Sequence, residues 1–127
     1  MNKKILVVDD EPHIRVLLTY TLEDLKDQGV QIMLTKDGEQ ALKIALKERP
    51  DLILLDVGLP NRNGYEICQR IKAEHSDTYV ILLTARGQTR DREQGVQVGA
   101  DEYVTKPFDP DYIRRKAAKI LGLTSSD

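Results

Sequence analysis

Aliphatic residues lead up to a single carboxylate in the stretch Pro50 to Gly64, PDLILLDVGLPNRNG. Leu52–Leu55 is continuously apolar and stops at Asp56, after which Gly58, Pro60, Asn61, Asn63 and Gly64 break the chain. A short apolar run bounded by turn residues reads as a strand buried on both faces. Asp56 then stands at its carboxyl end, the edge at which open parallel α/β sheets bind ligands. Taken alone, such an Asp is as readily a turn residue or a helix cap. Three other runs end in chemistry-bearing residues: ILVV in Asp9 and Asp10, YVILL in Thr84 and Ala85, and EYVT in Lys106. Parallel strands end on one rim, so these groups converge. Carboxylates packed together repel until one takes up a proton or a cation arrives. Oxygen-only donors suit Mg²⁺, with Mn²⁺ as a substitute, and no cluster of His or Cys points to a softer metal. A carboxylate beside a divalent cation, an ammonium and a hydroxyl is equipped for phosphoryl transfer, which needs positioning and charge neutralisation. In that chemistry Asp56 is the nucleophile and forms an acyl phosphate. Lys106 and the cation offset charge, and Thr84 hydrogen-bonds an oxygen.

The elements that must position these groups follow from the periodicity. Apolar runs at Ile5–Val8, Gln31–Thr35, Leu52–Leu55, Tyr79–Leu83 and Glu102–Val104 alternate with helical patterns. Such alternation predicts a parallel sheet with helices on both faces. The expected fold is α/β, doubly wound (βα)5, with the flavodoxin-like strand order 2-1-3-4-5, which makes the first and third strands neighbours at the switch point. Pro12 suits a first helical turn, and the first helix is expected to run to about Gln28. Its inward face would carry Ile14, Leu17, Leu18, Thr21 and Leu25. Further helices are expected over Asp37–Glu48, Gly64–Glu74 and, polar and loosely packed, about Thr89 to Val98. Asp109 caps the last, with Pro110 at its first position. Ile113, Ala117, Ile120 and Leu121 would form its inner face. The Lys106–Pro107 peptide is expected to be cis, since the chain must reverse sharply there and a cis X–Pro bond costs only about 0.5–1 kcal/mol.

Composition bounds the class. At 127 residues with a net charge of −2, the chain reads as one domain, over 1–123, with a short tail over 124–127. The charge balance favours neither nucleic acid nor a membrane surface as the main partner. No apolar run approaches the ~20 residues that span a bilayer, and the N-terminus is not a signal peptide. The single Cys68 cannot form an intrachain disulfide and fits a reducing cytoplasm. It reads as a small core residue. His13, Val16 and Tyr20 lie on the outward face of the first helix, where two readings fit equally: incidental exposure or a docking patch.

With these residues in hand, the chain resembles the response-regulator receiver domain, the CheY-like family, over essentially its full length. The matching pieces are ILVVDDEP, PDLILLDVGLP with NGYE, ILLTA, and GADEYVTKPF. The resemblance implies a phosphorelay signalling switch in a two-component system. Asp56 would accept a phosphoryl group from a phosphohistidine on a sensor histidine kinase or phosphotransfer protein. Asp9 and Asp10 would hold Mg²⁺ with Asp56 and the Gly58 backbone carbonyl. Thr84, Ala85 and Lys106 would bind the phosphoryl group, and Tyr103 would be the rotating aromatic of the switch. His13, Val16 and Tyr20 would meet the kinase. Beyond self-phosphorylation and autodephosphorylation, no enzyme activity is implied. Gly58 and Arg86 occupy positions where the family varies, flanking the path of the hydrolytic water. The chain resembles a stand-alone receiver or one cut from a longer regulator.

A phosphatase of the haloacid dehalogenase type is the alternative, since it also uses Asp and Mg²⁺ after a strand. It wants a DxD nucleophile on the first strand, where this chain has Asp9, Asp10 and Glu11. A flavin carrier of similar fold needs a phosphate loop where this chain has acid. Receivers of the winged-helix transcription class pair through the fourth helix, fifth strand and fifth helix. Here Val98 and Tyr112 stand where acids are expected, Arg92 lacks its partner, and Arg114, Arg115, Lys116 and Lys119 crowd the last helix. A monomer is expected when unphosphorylated. The basic face would meet an acidic partner or simply be solvated.

Overall fold

The structure is a computed structural model and describes residues 3–60, 62–85 and 98–123. Five parallel strands, β1 (Lys4–Val8), β2 (Gln31–Thr35), β3 (Leu52–Asp56), β4 (Tyr79–Ala85) and β5 (Glu102–Lys106), form one sheet in the order β2-β1-β3-β4-β5. This is the expected doubly wound order. β3, at the centre, is buried along its whole length, because both of its faces are covered. Strand alternation splits its side chains between two cores. Ile53 and Leu55 pack with Leu6, Val8, Val80 and Leu82 on one face, and Leu52 and Leu54 with Ile5, Val7, Ile81 and Leu83 on the other.

Helices α3 (Gly38–Glu48) and α4 (Gly64–Glu74) cover the first face, through Ala41, Leu42, Ala45, Ile67, Cys68 and Ile71. The opposite face is covered by α1 (Pro12–Thr21), α2 (Glu23–Asp27) and α5 (Pro110–Leu121). Asp37, Asn63 and Asp109 each cap the helix that follows, their side chains accepting the backbone N–H two residues on. Ala118 joins the inner face of α5, and Ile120 packs at its margin.

Three expectations need correction. The first helix is not continuous to Gln28. It stops at Thr21, turns at Leu22 and resumes as α2. Thr19 and Thr21 donate their hydroxyls to the carbonyls of Arg15 and Leu17, four residues back, a contact that bends helices. The bend buries Leu22 and leaves Leu17 exposed, so the inward face is Leu18, Leu22 and Leu25, with Ile14 packed against it as expected. β4 and β5 run longer than read, to Ala85 and Lys106, since the polar residues at their ends still pair in register. Val98 is a buried turn residue of the α3–α4 core, not a surface position. The helix expected over about Thr89 to Val98, with Arg92, lies almost wholly outside the described residues, as do Arg86 and the tail. No helix among the described residues is long and apolar enough to cross a membrane.

Candidate functional site

The register carries each reactive side chain to the carboxyl edge of the sheet. Val8 pairs with Leu55, Asp56 with Leu83, Thr84 with Thr105 and Ala85 with Lys106. Asp10, Glu11, Asp56, Val57, Gly58, Thr84, Ala85 and Lys106 consequently line one cleft of about 410 Å³.

Asp9 is the floor of this site and is fully buried. Its N–H donates to Thr35 O at 3.1 Å and its Oδ1 accepts the Glu11 N–H at 2.9 Å. Its Oδ2 accepts from Lys106 Nζ at 2.8 Å. Asp56 is also buried, and its Oδ1 accepts the Gly58 N–H at 3.1 Å. The chain can turn back here because residue 64 is a glycine. A Cβ on Gly64 would stand 2.5 Å from the Asp56 carbonyl oxygen and 2.8 Å from Val57 Cα, so α4 starts directly against the end of β3. Asp10, more exposed, completes a trio: carboxylate oxygens of Asp9, Asp10 and Asp56 lie within 4.8 Å of one another.

Lys106 Nζ reaches into the trio, 3.1 Å from Glu11 Oε2 and 3.5 Å from Asp56 Oδ1 besides its bond to Asp9. The Lys106–Pro107 peptide is cis. Burial works against the ammonium charge, but Asp9, Asp56 and Glu11 outweigh it and hold the lysine above its ordinary pKa. The Asp56 pKa is raised too, to about 6, first by burial and then by the charge of Asp9, against Lys106 and the Gly58 N–H. One ammonium therefore leaves the carboxylates under-compensated. The donor set is all oxygen, close and short of positive charge, which fits a hard divalent cation.

Not every predicted residue joins the cleft. Tyr103 sits on β5 beside Leu82, partly buried against the α3–α4 core. His13 is exposed on α1. Val16 and Tyr20, also exposed, line a separate groove where α1 and α2 meet the edge strand β2 at Leu34. Sequence reasoning missed Glu11, which pairs with Lys106; its signal was an acid adjoining Asp9 and Asp10. The basic face of α5 is less bare than expected: Lys116 pairs with Glu102 at 3.4 Å and Arg114 with Asp111 at 3.1 Å, while the Tyr112 hydroxyl donates to Glu102. Burial pushes the Cys68 thiol up to about 11, in keeping with an inert core residue.

A parallel sheet ending in an acid-lined cleft with a lysine across it matches one family in particular. The model for the response regulator receiver domain matches residues 5–118, and the chain belongs to that family. It is 45% identical over 121 residues to the alkaline phosphatase synthesis transcriptional regulatory protein PhoP of Bacillus subtilis, covering 95% of this chain and 49% of that protein. It is 42% identical over 126 residues to sporulation initiation phosphotransferase F of Bacillus subtilis, covering 99% of both. Among solved structures, the BeF3-activated DrrB receiver domain superposes with a TM-score of 0.85 at 36% identity, covering 96% of this chain and 99% of that one. The chain thus spans about half the length of the transcriptional regulators it matches. As a receiver domain it is a signalling component of two-component systems. Its family works with histidine kinases or phosphotransfer proteins.

Proposed function

We propose that this receiver is a phosphorylation-driven switch whose acceptor is Asp56. The observation that carries the reading is the Lys106 ammonium, suspended between Asp9, Glu11 and Asp56 above three carboxylates that share one small volume. With Oδ1 of Asp56 held by the Gly58 N–H, Oδ2 is the attacking oxygen. It forms the new P–O bond while the bond from phosphorus to the donor nitrogen breaks and its electron pair returns to the imidazole of a phosphohistidine. Asp9, Asp10, Asp56 and the Gly58 carbonyl would hold Mg²⁺ or Mn²⁺, which neutralises charge on the phosphoryl oxygens when bound. Lys106 leaves part of its hold on Asp9 to meet the new anion. Thr84 and Ala85, which also line the cleft, would supply a hydroxyl and close backbone.

The Thr84 hydroxyl turning toward the phosphoryl group would draw Tyr103 inward on the neighbouring strand, altering the surface formed by β5, α5 and the segment before β5. The donor kinase or phosphotransfer protein would dock over His13, Val16 and Tyr20 on α1. The protein would act in the cytoplasm as a monomer until phosphorylated, with an output partner on the altered face. With acetyl phosphate and MgCl₂ the intact mass should rise by one phosphoryl group. Asp56→Asn or chelation should abolish the gain. Undiminished labelling of Asp56→Asn would overturn the assignment.

A further inference from the structure

Arg15 belongs to two places at once. Its side chain lines the α1–β2 groove beside Val16, Tyr20 and Leu34, and its Nη1 donates to the backbone carbonyl of Asp9 at 2.8 Å. Asp9 is already tied at its N–H by Thr35 and at its carboxylate by Glu11 and Lys106. The carbonyl is the handle that remains, and it belongs to the peptide plane joining Asp9 to Asp10. A guanidinium on that oxygen fixes the tilt of the plane. The tilt sets the direction in which Asp10 leaves the backbone, relative to an Asp9 carboxylate that cannot follow. Asp10 is the most exposed of the trio.

We infer that Arg15 is a positioning residue for the acidic trio: by gripping the Asp9–Asp10 peptide it holds Asp10 where Asp9, Asp10 and Asp56 share one cation. This rests on the reading of the trio as a cation site. Groups that orient metal ligands without touching the metal govern affinity on the order of 10- to 100-fold, and a charged donor on a carbonyl is among the stronger hydrogen bonds.

The test is calorimetric titration of the full chain with MgCl₂, with thermal unfolding of the metal-free protein alongside. Arg15→Ala should weaken Mg²⁺ binding on the order of tenfold in a protein that remains folded at the titration temperature. Arg15→Lys, which still offers a charged donor, should recover part of the loss. Should Arg15→Ala fail to fold, Arg15→Met, which keeps an unbranched stem and offers no donor, provides the same comparison. Unchanged Mg²⁺ affinity in Arg15→Ala overturns the inference and leaves the cation site standing. Equal loss in the Ala and Lys variants, in step with lowered metal-free stability, also overturns it and makes Arg15 an anchor of α1. A wild-type protein that binds no Mg²⁺ removes the cation site, and the inference with it.

Discussion

Lys106 Nζ bonds Asp9 Oδ2 at 2.8 Å yet stands 3.5 Å from Asp56 Oδ1. The lysine therefore rests on the fully buried carboxylate and merely faces the proposed acceptor. Removing it strands a buried charge at Asp9. Lys106→Ala should lower metal-free stability at pH 7 by about 3 kcal/mol, read by urea denaturation. Labelling by acetyl phosphate should slow at least about tenfold, since the ammonium that offsets the phosphoryl charge is gone.

The raised Asp56 pKa fixes the sign of a pH effect. Below its unfolded value, 3.8, the group is protonated in both states and costs nothing. Between that value and about 6 the unfolded chain ionises while the folded one resists, so stability falls across this window. Asp56→Asn removes the cost. At pH 7.5 without metal it should be more stable than wild type by about 1–2 kcal/mol, after allowance for solvent screening. At pH 3.5 the advantage should vanish. Mg²⁺ should raise the wild-type Tm at pH 7.5 more than that of the variant.

Two glycines near the acceptor should behave oppositely. A Cβ at Gly64 would meet backbone atoms at 2.5 Å and 2.8 Å, which cannot give way, whereas one at Gly58 would come no nearer than 3.9 Å, to Asp56 Oδ1. Gly64→Ala should cost more than about 2 kcal/mol and impair labelling. Gly58→Ala should fold normally and alter the decay rate of the phosphorylated form, because the new methyl stands beside the Asp56 carboxylate. Thermal melts and the phosphoryl half-life read the two effects separately.

Val16 and Tyr20 are 55% and 72% exposed and lie on a groove distinct from the cleft. Val16→Asp and Tyr20→Asp should slow transfer from a phosphorylated histidine kinase or phosphotransfer protein at least about tenfold. Labelling by acetyl phosphate should be unaffected. Equal loss with both donors would indicate damaged folding.

Strand ends were legible in this chain because unbroken aliphatic runs stop at a single polar residue, as Leu52–Leu55 does at Asp56. Parallel topology then brought Asp9, Asp10, Thr84 and Lys106 to the same rim without further information. What escaped was set by contacts that leave no periodicity. The bend after Thr21 comes from hydroxyls bonding their own helix. Glu11 reads as the end of an acidic run until β5 delivers Lys106 to it. Arg15 acts on a backbone carbonyl, a partner with no residue type to recognise. Lys116 appears bare in the sequence, but Glu102 reaches it from another element.

One carboxylate, Asp56, is proposed to carry the phosphoryl group. Peptide mapping of the protein after acetyl phosphate and MgCl₂ locates it. A single hydroxylamine-labile phosphoryl group is expected on the peptide containing Asp56. A phosphoryl group on any other residue, or none in protein that binds Mg²⁺, would exclude Asp56 as the acceptor.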